Sequence, residues 1–227
     1  MDEQLRVEFN EWARAGRGES MERGHRPTGE QAIARMDVPP DAVVLDLGCG
    51  SGWASRLLAS RASKGSVIGI DISDKMIELA RKSSASYSNV TFEVAGADHL
   101  PFLDQEFTHA FSMESLYYYE DMAAALSEVA RVLRPGGLFA SVMDLYFENA
   151  PSHQWIDQLK VPVHLLPISE YHSLFKEAGF TETSDERLLD PTPVPDDYAG
   201  GSFKTREDLL AYRAAGSLLM LGKKPNE

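Results

Sequence analysis

The apolar positions of this chain change period repeatedly, and each change marks an element. In residues 2–14, Leu5, Phe9, Trp12 and Ala13 recur at helical spacing among charged residues, which predicts a short amphipathic helix ended by Gly16 and Gly18. The Gly- and Arg-rich stretch from Gly16 to Pro27 reads as a loop. Thr28 with Gln31 then forms a capping-box pattern for a second helix through about Met36. Pro39 and Pro40 separate this helical arm, residues 1–40, from a body over residues 41–227.

The body opens with the apolar run Val43, Val44 and Leu45, closed by Asp46, as expected of a strand buried on both faces of a parallel sheet. An amphipathic run from Trp53 to Ala62 follows, then a second apolar strand, Val67 to Ile70, ending in Asp71. Ser73 can cap a helix with Met76, Ile77 and Ala80 on one face, and the turn residue Asn89 precedes a strand from Val90 to Val94. A fourth strand is predicted over Phe107 to Ser112. Met122, Leu126, Val129, Ala130 and Leu133 mark a strongly periodic helix, which Arg134, Pro135, Gly136 and Gly137 stop before a fifth strand from Leu138 to Met143. Ser169 can cap a helix through Ala178, with Gly179 as its stop. Phe180 to Leu189 reads as a sixth strand and Gly216 to Leu221 as a seventh. Two stretches, 144–168 and 190–215, have no clean period and read as insertions or caps.

The candidate chemistry begins in the turn after the first strand. Gly48, Gly50 and Gly52 alternate through it, so backbone can approach a ligand closely, and the following helix start supplies free N–H groups and a positive dipole end. The order strand, glycine turn, helix, strand, acid is that of a nucleoside-binding unit in which Asp71 takes ribose hydroxyls. A dinucleotide fingerprint would place its third glycine at position 53, where Trp53 stands. Asp46 would repel a pyrophosphate but suits a ligand carrying an ammonium group.

With this acid-x-Gly-x-Gly-x-Gly turn from Asp46 to Gly52, followed by Asp71, the chain resembles the class I S-adenosylmethionine-dependent methyltransferases. The Arg134 to Gly137 turn before an apolar strand resembles the family as well, and the resemblance covers roughly residues 40–189 and, weakly, the last strand. It implies an α/β fold with a doubly wound, mostly parallel seven-stranded sheet, here with an N-terminal helical arm. It implies that Gly48, Gly50 and Gly52 line the methionine part of S-adenosylmethionine and that Asp46 sits near its ammonium. Asp71, with Ile72 beside it, would hold the ribose. Ala97 and Asp98, after the third strand, would meet the adenine, with Asp98 accepting from its amino group. The family's N-terminal helices often close over the cofactor, so the arm is expected as a lid or a packing helix. The family usually joins its last two strands by a short hairpin, which residues 190–215 replace.

The implied reaction is methyl transfer to an oxygen, nitrogen or sulfur of a small organic acceptor by in-line displacement, leaving S-adenosylhomocysteine. The segment Met113 to Tyr119, after the fourth strand, is expected to face the transferred methyl group, and 144–168 is expected to bind the acceptor. A general base is needed only where the acceptor still holds its proton, and Glu114, Tyr117 and His153 are the candidates.

Composition narrows the partners. With 227 residues, 43% hydrophobic and 25% charged, the chain is long enough for one sizeable core. A formal charge of −13 argues against nucleic acid and anionic membranes, which require a basic face. Ser112 to Tyr117 contains no proline, against the motif of amino-methylating nucleic-acid enzymes. Cys49 is the single cysteine, so an intrachain disulfide and a thiol relay are excluded, and no metal site is expected. No secretory leader and no membrane-length apolar run is present, so the expected location is the cytoplasm; the oligomeric state is left open. Two rivals stay in view: a non-catalytic cofactor-binding protein acting through a partner, and a nicotinamide oxidoreductase, which Gly52 and Trp53 fit poorly.

Overall fold

The computed structural model describes residues 2–227. Seven strands form one sheet: β1 (Val43–Leu47), β2 (Ser66–Asp71), β3 (Val90–Val94), β4 (Phe107–Met113), β5 (Leu133–Met143), β6 (Glu182–Leu188) and β7 (Ser217–Lys223). Their order is β3-β2-β1-β4-β5-β7-β6. All pairings are parallel except those of β7, which runs antiparallel to both β5 and β6.

The strand period of two puts successive side chains on opposite faces, and both faces are covered. Leu45 and Leu47 of β1, Phe107 of β4, Phe139 of β5 and Leu218 of β7 point into one core with α5 (Met122–Val132) and α6 (Ile168–Glu177). Val44, Phe111, Ala140, Val142 and Leu219 point into the other, with α2 (Arg17–Arg35) and α3 (Trp53–Arg61). The remaining helices are α1 (Glu3–Arg14), α4 (Asp74–Ser83) and α7 (Arg206–Ala215). This is the doubly wound, mostly parallel α/β sheet expected from the strand–helix alternation. Among the described residues, no helix is long and apolar enough to cross a membrane.

The arm departs from expectation. Residues 16–27 are not a loop: α2 begins at Arg17 and runs through Pro27, after Gly16 turns the chain at φ +71°. Arg26 supports the exposed face of this helix through Glu22 and Glu30, one turn away on either side, each at 2.8 Å. Of the glycines read as loop signals, Gly18 packs closely, with a Cβ there 3.1 Å from that of Ser51, whereas Gly16 and Gly24 face open space. A Cβ at Gly29 would lie 2.5 Å from the ring of Trp53, the residue just after the glycine turn. Thr28 and Gln31 therefore sit inside a helix, and Gln31 donates to the carbonyl oxygens of Pro27 and Leu189.

Helix α1 has the predicted apolar face, with Leu5, Trp12 and Ala13 buried. Its Asn10 fastens it to α4: Oδ1 accepts from Ser73 Oγ (2.7 Å) and Lys75 N (3.1 Å), while Nδ2 donates to Asp74 (2.8 Å). The Arg134–Gly137 turn expected before the fifth strand lies within β5, whose pairing with β4 shifts register between Phe107 and His109. Residues 144–167 contain a 3-10 stretch, Ala150–Gln158, and the 190–215 connection ends in α7.

Candidate active site

The sheet order reverses between β1 and β4, so the loops after these two strands part and leave a crevice at their carboxyl ends. Leu47 is in register with Ser112, which brings the glycine turn against the segment after β4. Ser115 Oγ joins them, donating to the Leu47 carbonyl (3.2 Å) and lying within hydrogen-bond reach of Ser112 (2.6 Å) and Tyr119 (2.9 Å). Gly48 has φ +71°, and a Cβ there would fall 2.5 Å from that of Ser115, so only glycine fits.

The crevice holds a cavity of about 590 Å³, lined by Gly48, Gly50, Asp71, Ile72, Ala97 and Asp98 among others. Asp71 organises it. One carboxylate oxygen accepts from Gly50 N (2.9 Å) and the other from Ser73 N (2.8 Å), while burial lifts the group to about 6 against those two donors. The cavity's titratable side chains are Asp2, Asp71, Asp98, Glu114, Glu120 and Asp121, with two tyrosines; no Lys, Arg or His of the described chain lines it. Such a wall suits a cationic ligand and repels a pyrophosphate. S-adenosylmethionine, with a sulfonium and an ammonium, fits this donor set and the bare-backbone cradle.

Two residues expected at the cofactor stand behind it. Asp46 does not line this cavity: it is buried, accepts a 2.5 Å bond from Ser55, and is pushed up to about 7 by burial and by the nearby Asp71. Gly52 is also outside, because it is a packing position; a Cβ there would lie 2.8 Å from the Phe92 ring. Both support the turn from within.

A second cavity, of about 760 Å³, shares Phe9, Met21, Glu114 and Tyr118 with the first. Glu114 therefore touches both. Its backbone sits at φ +54°, a conformation that costs a non-glycine residue energy and persists where the surroundings hold it. Its carboxylate accepts from Tyr117 Oη (2.7 Å) and from the backbone N–H of Asp144 (2.5 Å). Asp144 is buried, accepts from Tyr212 Oη (2.5 Å), and lies 3.4 Å from His25 Nδ1.

Burial and the charge of Asp144 push Glu114 up to about 8. Burial would raise Asp144 as well, but His25 holds it below the ordinary carboxylate range. Burial works against the His25 cation, and its two carboxylate neighbours outweigh that and raise it. Glu114, raised to about 8, keeps its proton at neutral pH, while Asp144 is the carboxylate that His25 holds ionised. The three side chains bring ligand atoms within 4.8 Å of one another and are also the described residues that could hold a metal ion.

Of the expected catalytic groups, Glu114 and Tyr117 meet at this junction and His153 does not. Its ring turns to the Tyr146 carbonyl (3.2 Å), packs beside Phe147 and lines neither cavity. The histidine at the junction is His25, in a stretch read as loop, whose lone imidazole carried no spacing signal. Tyr118 packs edge-on against Phe9 of the arm (5.1 Å between centroids), and the 190–215 connection folds Phe203 and Tyr212 against Trp155.

Fold, acidic nucleoside cradle and adjoining junction define a methyltransferase of the Rossmann-like type, and the comparisons agree. The chain belongs to the class I S-adenosylmethionine-dependent methyltransferases: residues 44–137 match the "Methyltransferase domain" family model. It is 30% identical over 192 residues to the O-methyltransferase resE of Aspergillus sclerotiorum, covering 82% of this chain and 70% of that one. It is 39% identical over 122 residues to the methyltransferase GfsG of Streptomyces halstedii, covering 52% of this chain but only 43% of GfsG. Among solved structures, a chain from the complex between the Haloferax volcanii Trm112 methyltransferase activator and a methyltransferase is 34% identical, with a TM-score of 0.88. That match covers 96% of this chain and 98% of the other.

Proposed function

We propose that this chain transfers a methyl group from S-adenosylmethionine to an oxygen of a small organic acceptor. The observation that carries this reading is the meeting of an acidic nucleoside-type cavity and a larger aromatic cavity at Glu114. The likeness to an O-methyltransferase supports oxygen as the acceptor atom. Bound in the first cavity, S-adenosylmethionine would supply a methyl group on a positively charged sulfonium.

The chain's own residues do the rest. Gly48 and Gly50 bring backbone against the methionine part, Asp71 and Ile72 hold the ribose, and Ala97 and Asp98 meet the adenine. Glu114 and Tyr117 orient the acceptor at the junction. His25, held by Asp144, takes the place of His153 as the group that receives the acceptor's proton. Residues 2–40 form the lid, since Leu5, Phe9 and Met21 close one side of the cofactor cavity and exclude water there.

The test is a set of three measurements on His25→Gln and Tyr117→Phe. Turnover should fall by roughly tenfold or more, with cofactor affinity and melting temperature close to the parent values. Parental turnover in both would remove the junction from the reaction.

The Haloferax volcanii complex favours one further reading, in which the chain acts together with an activator of the Trm112 kind. Co-purification of the two proteins, with turnover rising on addition of the activator, supports it; indifference to the activator counts against it.

A further inference from the structure

The second cavity has a charge opposite to that of the protein around it. The chain carries a formal −13, and the cofactor cavity presents carboxylates without a basic side chain from the described residues. Around the second cavity stand Arg17, Arg23, Lys204 and Arg213, with His25, against Glu114 and Asp190. Arg213 is tied to Asp190 at 3.1 Å, and Glu114 belongs to the inner cluster with His25 and Asp144. That leaves Arg17, Arg23 and Lys204 to set the sign at the rim. Among the described residues none of the three forms an ion pair, and all three side chains are exposed, so they stand at the mouth. Arg17 is fixed there by stacking 3.8 Å from the centre of the Trp12 ring.

The walls between mouth and junction are flat. Trp155, Phe203 and Tyr212 pack with centroids 4.8–5.6 Å apart, facing a space sized for a small organic ring system. A cationic acceptor would be repelled at such a mouth. A neutral one would make no use of the three cations. A carboxylate at the mouth and a hydroxyl at the inner end answer both features at once.

Resting on the methyltransferase reading of the same site, we infer that the acceptor is an aromatic hydroxy acid. Arg17, Arg23 and Lys204 hold its carboxylate at the mouth, and its hydroxyl reaches the His25 and Glu114 end. The ring lies against Trp155 and Tyr212. A hydroxyl and an acid group at opposite ends of the ring system fit this placement, and adjacent ones do not.

The experiment uses matched probes: 6-hydroxy-2-naphthoate against 2-naphthol, and 4-hydroxybenzoate against phenol. Binding is followed by quenching of tryptophan emission with S-adenosylhomocysteine present, and methyl transfer by labelled S-adenosylmethionine. At least one acid should bind about tenfold or more tighter than its neutral partner, a preference that shrinks with added salt. In the Arg23→Glu, Lys204→Glu double variant the preference should vanish while S-adenosylhomocysteine affinity stays the same. Equal or tighter binding of the neutral probes, no binding of either acid, or a preference that survives charge reversal would each overturn the inference. Failure of the parent protein to bind S-adenosylmethionine would instead strike the reading on which the inference rests.

Discussion

Replacing Asp71 by Asn keeps the side chain's shape and removes its charge. The carboxylate accepts from Gly50 N at 2.9 Å and from Ser73 N at 2.8 Å, one bond on each oxygen. An amide can accept only one of them and turns its NH₂ toward the other donor. One buried N–H left unsatisfied costs about 1–3 kcal/mol, so the melting temperature should fall by roughly 2–12 °C for a chain of this size. The effect on ligand is separate. Two ribose hydroxyls donating to a charged acceptor lose about 1 kcal/mol each when it becomes neutral, which together weakens binding by roughly thirtyfold. The pH dependence gives a second handle. Burial raises Asp71 to about 6, and the ligand favours the ionised form, so below that value binding must first expel a proton. Parent affinity for S-adenosylhomocysteine should therefore weaken as pH falls from 7 to 5, and the Asn variant should lose this slope. Calorimetry across that range, beside thermal melts, reads both quantities. Equal affinity in a folded Asp71→Asn protein, or a flat parent profile through pH 6, would refute the assignment.

Two further outcomes follow from buried groups. Glu114, Asp46 and Asp71 are raised to about 8, 7 and 6, so the folded, ligand-free protein holds protons that the unfolded chain has already released. Stability should therefore fall as pH rises from about 5 to 8, and urea midpoints that stay level or rise over that window would contradict the burial of these carboxylates. Asn10→Ala removes the bonds that fasten α1 to Ser73, Asp74 and Lys75, so amide exchange in residues 3–14 should quicken and S-adenosylhomocysteine should dissociate faster; unchanged exchange would show that the arm is held otherwise.

Much of this fold was legible because the apolar periods were strong. Val90–Val94, an alternating strand at the sheet edge after the turn residue Asn89, was placed at both ends, and β1, β2 and β4 were extended by only one or two residues, the buried runs of β1 and β2 being nearly unbroken. The arm was misread for a physical reason. Gly18, Gly24 and Pro27 normally punctuate a chain, yet here all three sit within a helix supported by Glu22, Arg26 and Glu30, and Gly18 makes room for Ser51. The lining of the proposed cofactor cavity was readable in part from local spacing, because Gly48, Gly50 and Asp71 come from two consecutive strand ends. Asp46 and Gly52 share that spacing but face inward, a distinction that depends on Ser55 and Phe92 across the turn. The junction was half legible. Glu114 and Tyr117 follow a strand end, whereas His25, Asp144 and Tyr212 converge from α2, the end of β5 and α7, and no local pattern links them.

The central claim is that the two cavities serve one transfer, and the most direct measurement follows the methyl group itself. The protein is incubated with methyl-labelled S-adenosylmethionine and fractionated small metabolites, with and without an activator of the Trm112 kind, and the products are weighed by mass spectrometry. The account predicts S-adenosylhomocysteine in equal amount with a new O-methylated small molecule, both reduced roughly tenfold or more in His25→Gln. Tight binding of S-adenosylmethionine with no labelled product under either condition would contradict it.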